Sequence, residues 1–291
     1  MKRYEKVIEK LLLGSSLLTV LTTAGIIYVL LAETVQFFSE VSIVDFLTDT
    51  QWTPQFAGGH FGIMPLLSGT LLTTLIAISV AVPLGLVVSV YLSEYAHKTF
   101  RNIIKPTLEI LAAVPTVVYG YFALVYLTPL LKSFNPDLGT FNALSAGIMM
   151  GVMILPLVTS LSEDALFAVP KTMREGSYAV GATKFQTAWK VVVPSAISGI
   201  AVSVILAISR AIGETMIVAI AAGQRANLTF NPAEQVLTAT SYIVGVTKGD
   251  AATASLEYRT IFAVGATLFV FTLVLNNLSY WLKKKFHQAY L

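Results

Sequence analysis

Cysteine is absent from the 291-residue sequence, which excludes a disulfide framework, a thiolate metal site and a cysteine nucleophile. Charge is nearly as scarce. Only 12% of residues are Asp, Glu, Lys or Arg, about half the fraction of an ordinary soluble domain. The three histidines, His60, His97 and His287, are too far apart in sequence to suggest a metal cluster. No G-x-x-x-x-G-K-[ST] loop, G-x-G-x-x-G turn, H-E-x-x-H helix or acidic calcium loop is present, so nucleotide hydrolysis and metal-dependent catalysis have no visible machinery, and neither an enzyme nor a cofactor is expected.

What fills the chain instead is apolar. Hydrophobic residues make up 55% and the mean hydropathy is +0.75. Runs long enough to cross a bilayer lie at about Leu11 to Phe38, Leu66 to Leu92, Ile103 to Leu131, Asn142 to Val169, Val191 to Gly223 and Thr260 to Leu282. Each is expected to be helical, because an open strand in lipid leaves its backbone unsatisfied. The fold class is therefore an all-α polytopic membrane protein with six transmembrane helices. The first run is long for a signal peptide and lacks a clear small-x-small cleavage site, so it is expected to remain as a span.

Lys and Arg are retained on the cytoplasmic side of a membrane. Lys2, Arg3, Lys6, Lys10, Lys98, Arg101, Lys105, Lys171, Arg174, Lys184, Lys190 and Lys283 to Lys285 fall on one side of an alternating six-span arrangement, 14 of the 19 basic residues. Lys132, Arg225, Lys248 and Arg259 fall on the other, and Arg210 lies within a span. Both termini are thus expected in the cytoplasm of a cell with a plasma (inner) membrane. The net charge of +3 follows this topology and does not indicate a nucleic-acid partner. The first outside loop, Ser39 to Pro65, reads as a solvated connector with Trp52 and Phe56 at the interface. Pro83, Pro106, Pro115, Pro129 and Pro156 are candidate kinks or breaks. The organisation expected is an N-terminal tail, first helix and outer loop over 1–65, a core over 66–282, and a C-terminal tail over 283–291.

Two segments carry function. Between the fourth and fifth spans, 170–190 is too polar to cross and is patterned as two short amphipathic helices joined near Gly181, with Phe185 and Trp189 on one face. Small residues and one carboxylate suit docking against another protein. In the fifth span, Arg210 and Glu214 are four residues apart, which places both on one face of a continuous helix. A central Arg costs about 2.5 to 3.5 kcal/mol, and the pair on the order of 5 to 7, while nine aliphatic neighbours return only about 3 to 5. The span should face the bundle interior. The pair reads either as a structural ion pair or as a site in which Arg210 meets an anionic substrate, with Glu214 neutralising it when empty and Gly213 allowing close approach.

The run Glu175-Gly176-Ser177, three residues, Gly181, nine residues, then Val191-Val192-Val193-Pro194 resembles the E-A-A-x3-G-x9-I-x-L-P loop of ABC importer permeases at every spacing. Gly176 and Ser177 stand where the family has alanines. The resemblance implies that Glu175, Gly176, Ser177, Gly181 and Pro194 belong to the coupling helices that sit on a separate ATPase. With RAIGETM and the segments beginning FGIMPLLSGT, KPTLEILAAV and ILPLVTSLSE, nearly the whole chain resembles the PstC-type phosphate permeases. That implies the six-helix, MetI-like importer-permease core, a PstA-type second permease, two PstB-type ATPase copies, a periplasmic PstS-type phosphate-binding protein, and a phosphate pathway at Arg210 and Glu214. Sulfate, molybdate or phosphonate is the alternative substrate. An ion-coupled carrier using Glu214, Glu109 or Glu33 is a further one, though no inverted repeat is visible. An embedded enzyme would have only Glu163 and Asp164 as neighbouring acids.

Overall fold

The computed structural model describes residues 2–56, 58–249, 252 and 255–286. Residues 287–291, most of the expected C-terminal tail and His287 with it, lie outside the described residues. So do the side chains of Lys2, Arg3 and Lys283 to Lys285, which entered the charge count.

The regular secondary structure of the described residues is helical apart from one isolated bridge, Trp52 to Phe61. Its long helices are α1 (Lys2–Glu40), α3 (Met64–Val90), α7 (Ala143–Phe167) and α14 (Leu256–Phe286), with the short α2 (Ile43–Thr48) after α1. A π-helical turn, Tyr91–Tyr95, extends α3. Four stretches, Tyr4–Glu40, Met64–Tyr95, Ala143–Phe167 and Leu256–Trp281, are long and apolar enough to cross a membrane. Two bent pairs bring the number to six if each is counted as one crossing.

These bends correct two of the expected spans. The run Ile103 to Leu131 is not one rod. α4 (Lys98–Ala112) meets the segment Thr116–Lys132 at 86°. That segment consists of α5 (Thr116–Phe122), the π-turn Ala123–Leu127 and α6 (Thr128–Lys132). Pro115 sits at the break with an extended ψ of 134°, as a residue that cannot donate to the preceding turn. α4 has no buried residue and is strongly two-faced, so it suits an interface better than the bilayer centre.

The fifth run is interrupted twice. The segment Lys184–Ser195 joins α11 (Ile197–Ile212) at 69°, and α11 stops at Ile212, before α12 (Met216–Ala221).

α3 and α7 form the centre of the bundle. Gly147 and Gly151, one turn apart on α7, bring its backbone close to α3: a Cβ at Gly147 would lie 2.6 Å from the Ile76 Cβ, and one at Gly151 2.8 Å from the Ala77 carbonyl oxygen. Where lipid gives helices no hydrophobic reason to associate, such backbone proximity supplies dispersion contacts instead. α11 packs on α7, α14 and α3, so the expected interior position of the fifth span holds for its body.

The outer loop is not a solvated connector. α2 carries Phe46 onto Phe37, Phe38 and Trp52 in edge-to-face contacts with centroids 5.2 to 6.3 Å apart, and Trp52 meets Tyr242 in the same way at 4.9 Å. Trp52 is buried, while Phe56 remains exposed. A helix the sequence reading did not isolate, α13 (Ala239–Lys248), forms the other wall of this cluster. Before it, residues 224–238 form no helix and return to the bundle through a turn at 232–234. Glu234 and Pro232 accept from the Ala143 and Leu144 amides at 3.0 and 2.8 Å, satisfying two of the donors that the start of α7 leaves open.

Candidate substrate pathway and coupling segment

The expected face shared by Arg210 and Glu214 does not exist, because the helix ends between them. Gly213 caps α11, and Glu214 lies in the three-residue interval before α12. Its Oε1 accepts from the Met216 and Ile217 amides at 3.1 and 3.3 Å, so the carboxylate closes the start of α12. Its own carbonyl accepts from Thr240 Oγ1 at 2.6 Å, tying the break to the first turn of α13.

Arg210 forms no ion pair among the described residues. Its Nη2 approaches only Met153 Sδ, at 3.5 Å, a weak acceptor. Arg210 is thirteen residues along α11, about 20 Å at 1.5 Å per residue, and Met153 is near the middle of the 25-residue α7. The guanidinium therefore sits at mid-bundle depth on an exposed face of this chain, with its fork of donors unused.

The 170–190 segment folds as expected into two short helices about Gly181. α8 (Lys171–Ala179) ends near Gly181, whose φ of +85° turns the chain, and α9 (Lys184–Thr187) opens with a reciprocal Thr183–Gln186 capping box. A π-turn, Ala188–Val192, and α10 (Val193–Ser195) lead into α11. Ser177 Oγ and Thr187 Oγ1 are 2.9 Å apart and hold the two helices together. Glu175, Gly176 and Gly181 are exposed, as is Pro194, and a Cβ at Gly176 or Gly181 would meet nothing within 4 Å. Val180, Phe185 and Trp189 are also exposed, with Phe185 and Trp189 ring centroids 6.3 Å apart.

Charge interactions that no sequence motif announces fix this segment to the bundle. Arg174 Nη2 donates to Glu94 Oε1 at 2.8 Å and to the Leu166 carbonyl at 2.9 Å, and Nη1 donates to the Val169 carbonyl at 2.6 Å. Beside it, Glu163 is held by Arg101 and by Lys105 at 3.0 Å, and Asp164 by Lys105 at 2.6 Å. Glu163 and Asp164 are therefore engaged in ion pairs at the end of α7.

Residues 81–288 match the family described as binding-protein-dependent transport system inner membrane component. The chain is 36% identical over 244 residues to YqgH of Bacillus subtilis, a probable ABC transporter permease protein, covering 82% of this chain and 78% of that one. It is 30% identical over 284 residues to the phosphate transport system permease protein PstC of Mesorhizobium japonicum, covering 90% and 84%. Among solved structures, a chain of a bacterial ABC transporter involved in the import of the acidic polysaccharide alginate superposes with a TM-score of 0.67 at 14% identity, covering 99% of this chain and 100% of that one. The inward-facing methionine transporter MetNI gives 0.56 at 17% identity, covering 78% and 95%. At these identities the superpositions establish the fold alone.

Proposed function

This chain belongs to the family of binding-protein-dependent transport system inner membrane components, and from that premise we propose that it is one permease subunit of an ATP-driven phosphate importer. As an ABC importer permease it resides in the plasma membrane and is not itself catalytic. Permeases of this kind work with ATPases and periplasmic binding proteins. The proposed partners are a PstA-type second permease, two PstB-type ATPases and a PstS-type phosphate-binding protein, with both termini of this chain in the cytoplasm.

Arg210 is the observation that carries the substrate reading. A guanidinium at mid-bundle depth with no acid beside it is costly in lipid and is stabilised only by water, by a partner or by an anion. Its planar donors match two oxygens of a phosphate, and the exposed face it occupies is where a second permease would complete a passage. Relatives named as phosphate permeases, at about 30% identity over most of this chain, support phosphate as that anion. The 170–190 segment, with Glu175, Gly176, Ser177, Gly181 and Pro194, is the proposed ATPase contact. Its exposed apolar side chains provide the docking surface, and Arg174 ties the segment to α3 and α7.

Uptake of [32P]phosphate in cells carrying Arg210→Gln at wild-type membrane abundance tests the reading. Loss of uptake is expected, and unchanged uptake overturns the role of Arg210. Competition by sulfate, molybdate or phosphonate at equal concentration should leave phosphate uptake intact; strong competition by one of them would reassign the substrate. Substituting Glu175 or Gly181 should separate ATP hydrolysis from transport, measured on the purified complex.

A further inference from the structure

At the end of the bundle opposite the 170–190 segment, a cavity of about 380 Å³ opens between the loop after α2, the chain following Gly223 and one face of α13. Trp52, Gln55, Gln224, Arg225, Ser241 and Tyr242 are among its lining residues. Arg225 is the sole charged side chain in that lining, and it forms no ion pair or side-chain hydrogen bond among the described residues. Trp52 and Ser241 are each more than nine-tenths buried; the serine hydroxyl has no hydrogen-bond partner among the described residues, and the indole N–H has only the Tyr242 hydroxyl beside it. Buried polar atoms are normally paired, and an orphaned hydroxyl in the cavity wall beside the exposed Arg225 guanidinium, which no carboxylate neutralises, leaves donors open to an anion.

The position is fixed by the fold. Gly223 has φ +91°, a left-handed conformation that turns the chain out of α12 and delivers Gln224 and Arg225 to the cavity. On the other wall, Ser241 and Tyr242 lie in the first turn of α13, whose Thr240 holds the Glu214 carbonyl at 2.6 Å. One helical turn thus touches both the cavity and the break beside Arg210.

We propose that this cavity is a reception site for a small tetrahedral oxyanion, with Arg225 as its charge-bearing ligand, occupied before the anion reaches Arg210. The site rests on the phosphate-importer reading for the identity of the anion, not for its existence. Occupancy would draw Arg225 and the α13 turn together, and Thr240 would carry that displacement to the α11–α12 break.

Trp52 provides an intrinsic probe. The purified importer, without its binding protein, is titrated with inorganic phosphate, and the signal is the emission difference between the wild type and a Trp52→Phe variant. A saturable change is expected. Arg225→Gln should weaken the half-saturation by about tenfold to a hundredfold, as for loss of one charge-assisted hydrogen bond, with Arg225→Lys intermediate. In cells, Arg225→Gln should lower uptake at limiting phosphate with wild-type membrane abundance. A wild-type protein that gives no saturable signal with phosphate, sulfate or molybdate, or an Arg225→Gln variant that titrates like wild type, overturns the site. An Arg225→Gln variant that titrates like wild type but no longer co-purifies with the binding protein makes Arg225 a docking contact instead. Saturation by sulfate or molybdate but not phosphate would retain the site and refute phosphate as the cargo. Normal phosphate uptake with no titration would refute the site alone.

Discussion

Removing Arg174 should destabilise this protein more than removing its partner Glu94, and removing both should restore part of the loss. The two side chains form a nearly buried pair, with 16% of the arginine and 5% of the glutamate side chain exposed. Arg174→Ala leaves the Glu94 carboxylate enclosed with only Ser93 Oγ at 3.1 Å, an uncompensated buried charge that costs about 3 to 5 kcal/mol. Glu94→Ala leaves Arg174 with two carbonyl acceptors, Val169 and Leu166, at 2.6 and 2.9 Å, so the loss is closer to the roughly 1.5 to 3 kcal/mol of charge-assisted hydrogen bonds. The double variant removes the orphaned charge and should be more stable than Arg174→Ala alone. Apparent melting temperatures of the three variants in one detergent give the order directly. Equal losses for the two single variants, or a double variant showing the sum of both, would refute the asymmetry. Because the pair joins the 170–190 segment to the end of α3, Glu94→Ala should also raise ATP hydrolysis relative to transport in the assembled importer.

Gly181→Ala should cost only the left-handed backbone strain of about 1 to 2 kcal/mol, since φ is +85° and no atom lies near the added methyl. Gly223→Ala carries the same strain plus a 3.0 Å approach to Gln235, so its melting temperature should fall further. Gly147→Ala forces a methyl against Ile76 on α3 and should lower stability by about 1 to 3 kcal/mol, visible as reduced membrane abundance. The Gln51 amide and His60 hold the Asp49 carboxyl below the usual carboxylate range. That contribution is fully present above the ordinary carboxylate value and is lost as pH falls through the lowered one. Limited proteolysis of the 49–60 loop should therefore accelerate with acidification in the wild type, and Asp49→Asn should flatten that dependence.

The legible part of this fold was the part written in long runs. Four apolar stretches became long helices because a backbone in lipid has no alternative partner, and composition alone reports that. The breaks were not legible. Apolar residues resume at Met216 directly after Gly213, Glu214 and Thr215, and a single glycine is tolerated within helices, so spacing alone placed Arg210 and Glu214 on one face. Pro115 was visible as a candidate break, but its 86° angle depends on how α4 meets the bundle. Trp52 was read as an interfacial anchor because the rings that pack on it, Phe46 and Tyr242, come from elements far apart in sequence. α13 had a signal in Thr238, whose hydroxyl accepts from the Ser241 amide at 3.3 Å, but its ten residues are too short to stand out by hydropathy. The two short helices about Gly181 were legible in the pattern of 170–190. The Arg174–Glu94 clamp beneath them was not, since its partners are 80 residues apart.

The break at Gly213 gives the two charges different work, and one substitution series separates them. Glu214 satisfies the first amides of α12 through one oxygen, a task an amide oxygen performs nearly as well, whereas its charge is not required for that bond. Glu214→Gln should therefore keep wild-type abundance, while Glu214→Ala should lose about 1 kcal/mol of stability with the cap. If the carboxylate also repels an anion onward after Arg210 has bound it, Glu214→Gln will fold normally and transport slowly, with phosphate retained longer at the guanidinium. Full uptake in Glu214→Gln would limit this residue to holding α12, leaving Arg210 alone as the charge in the passage.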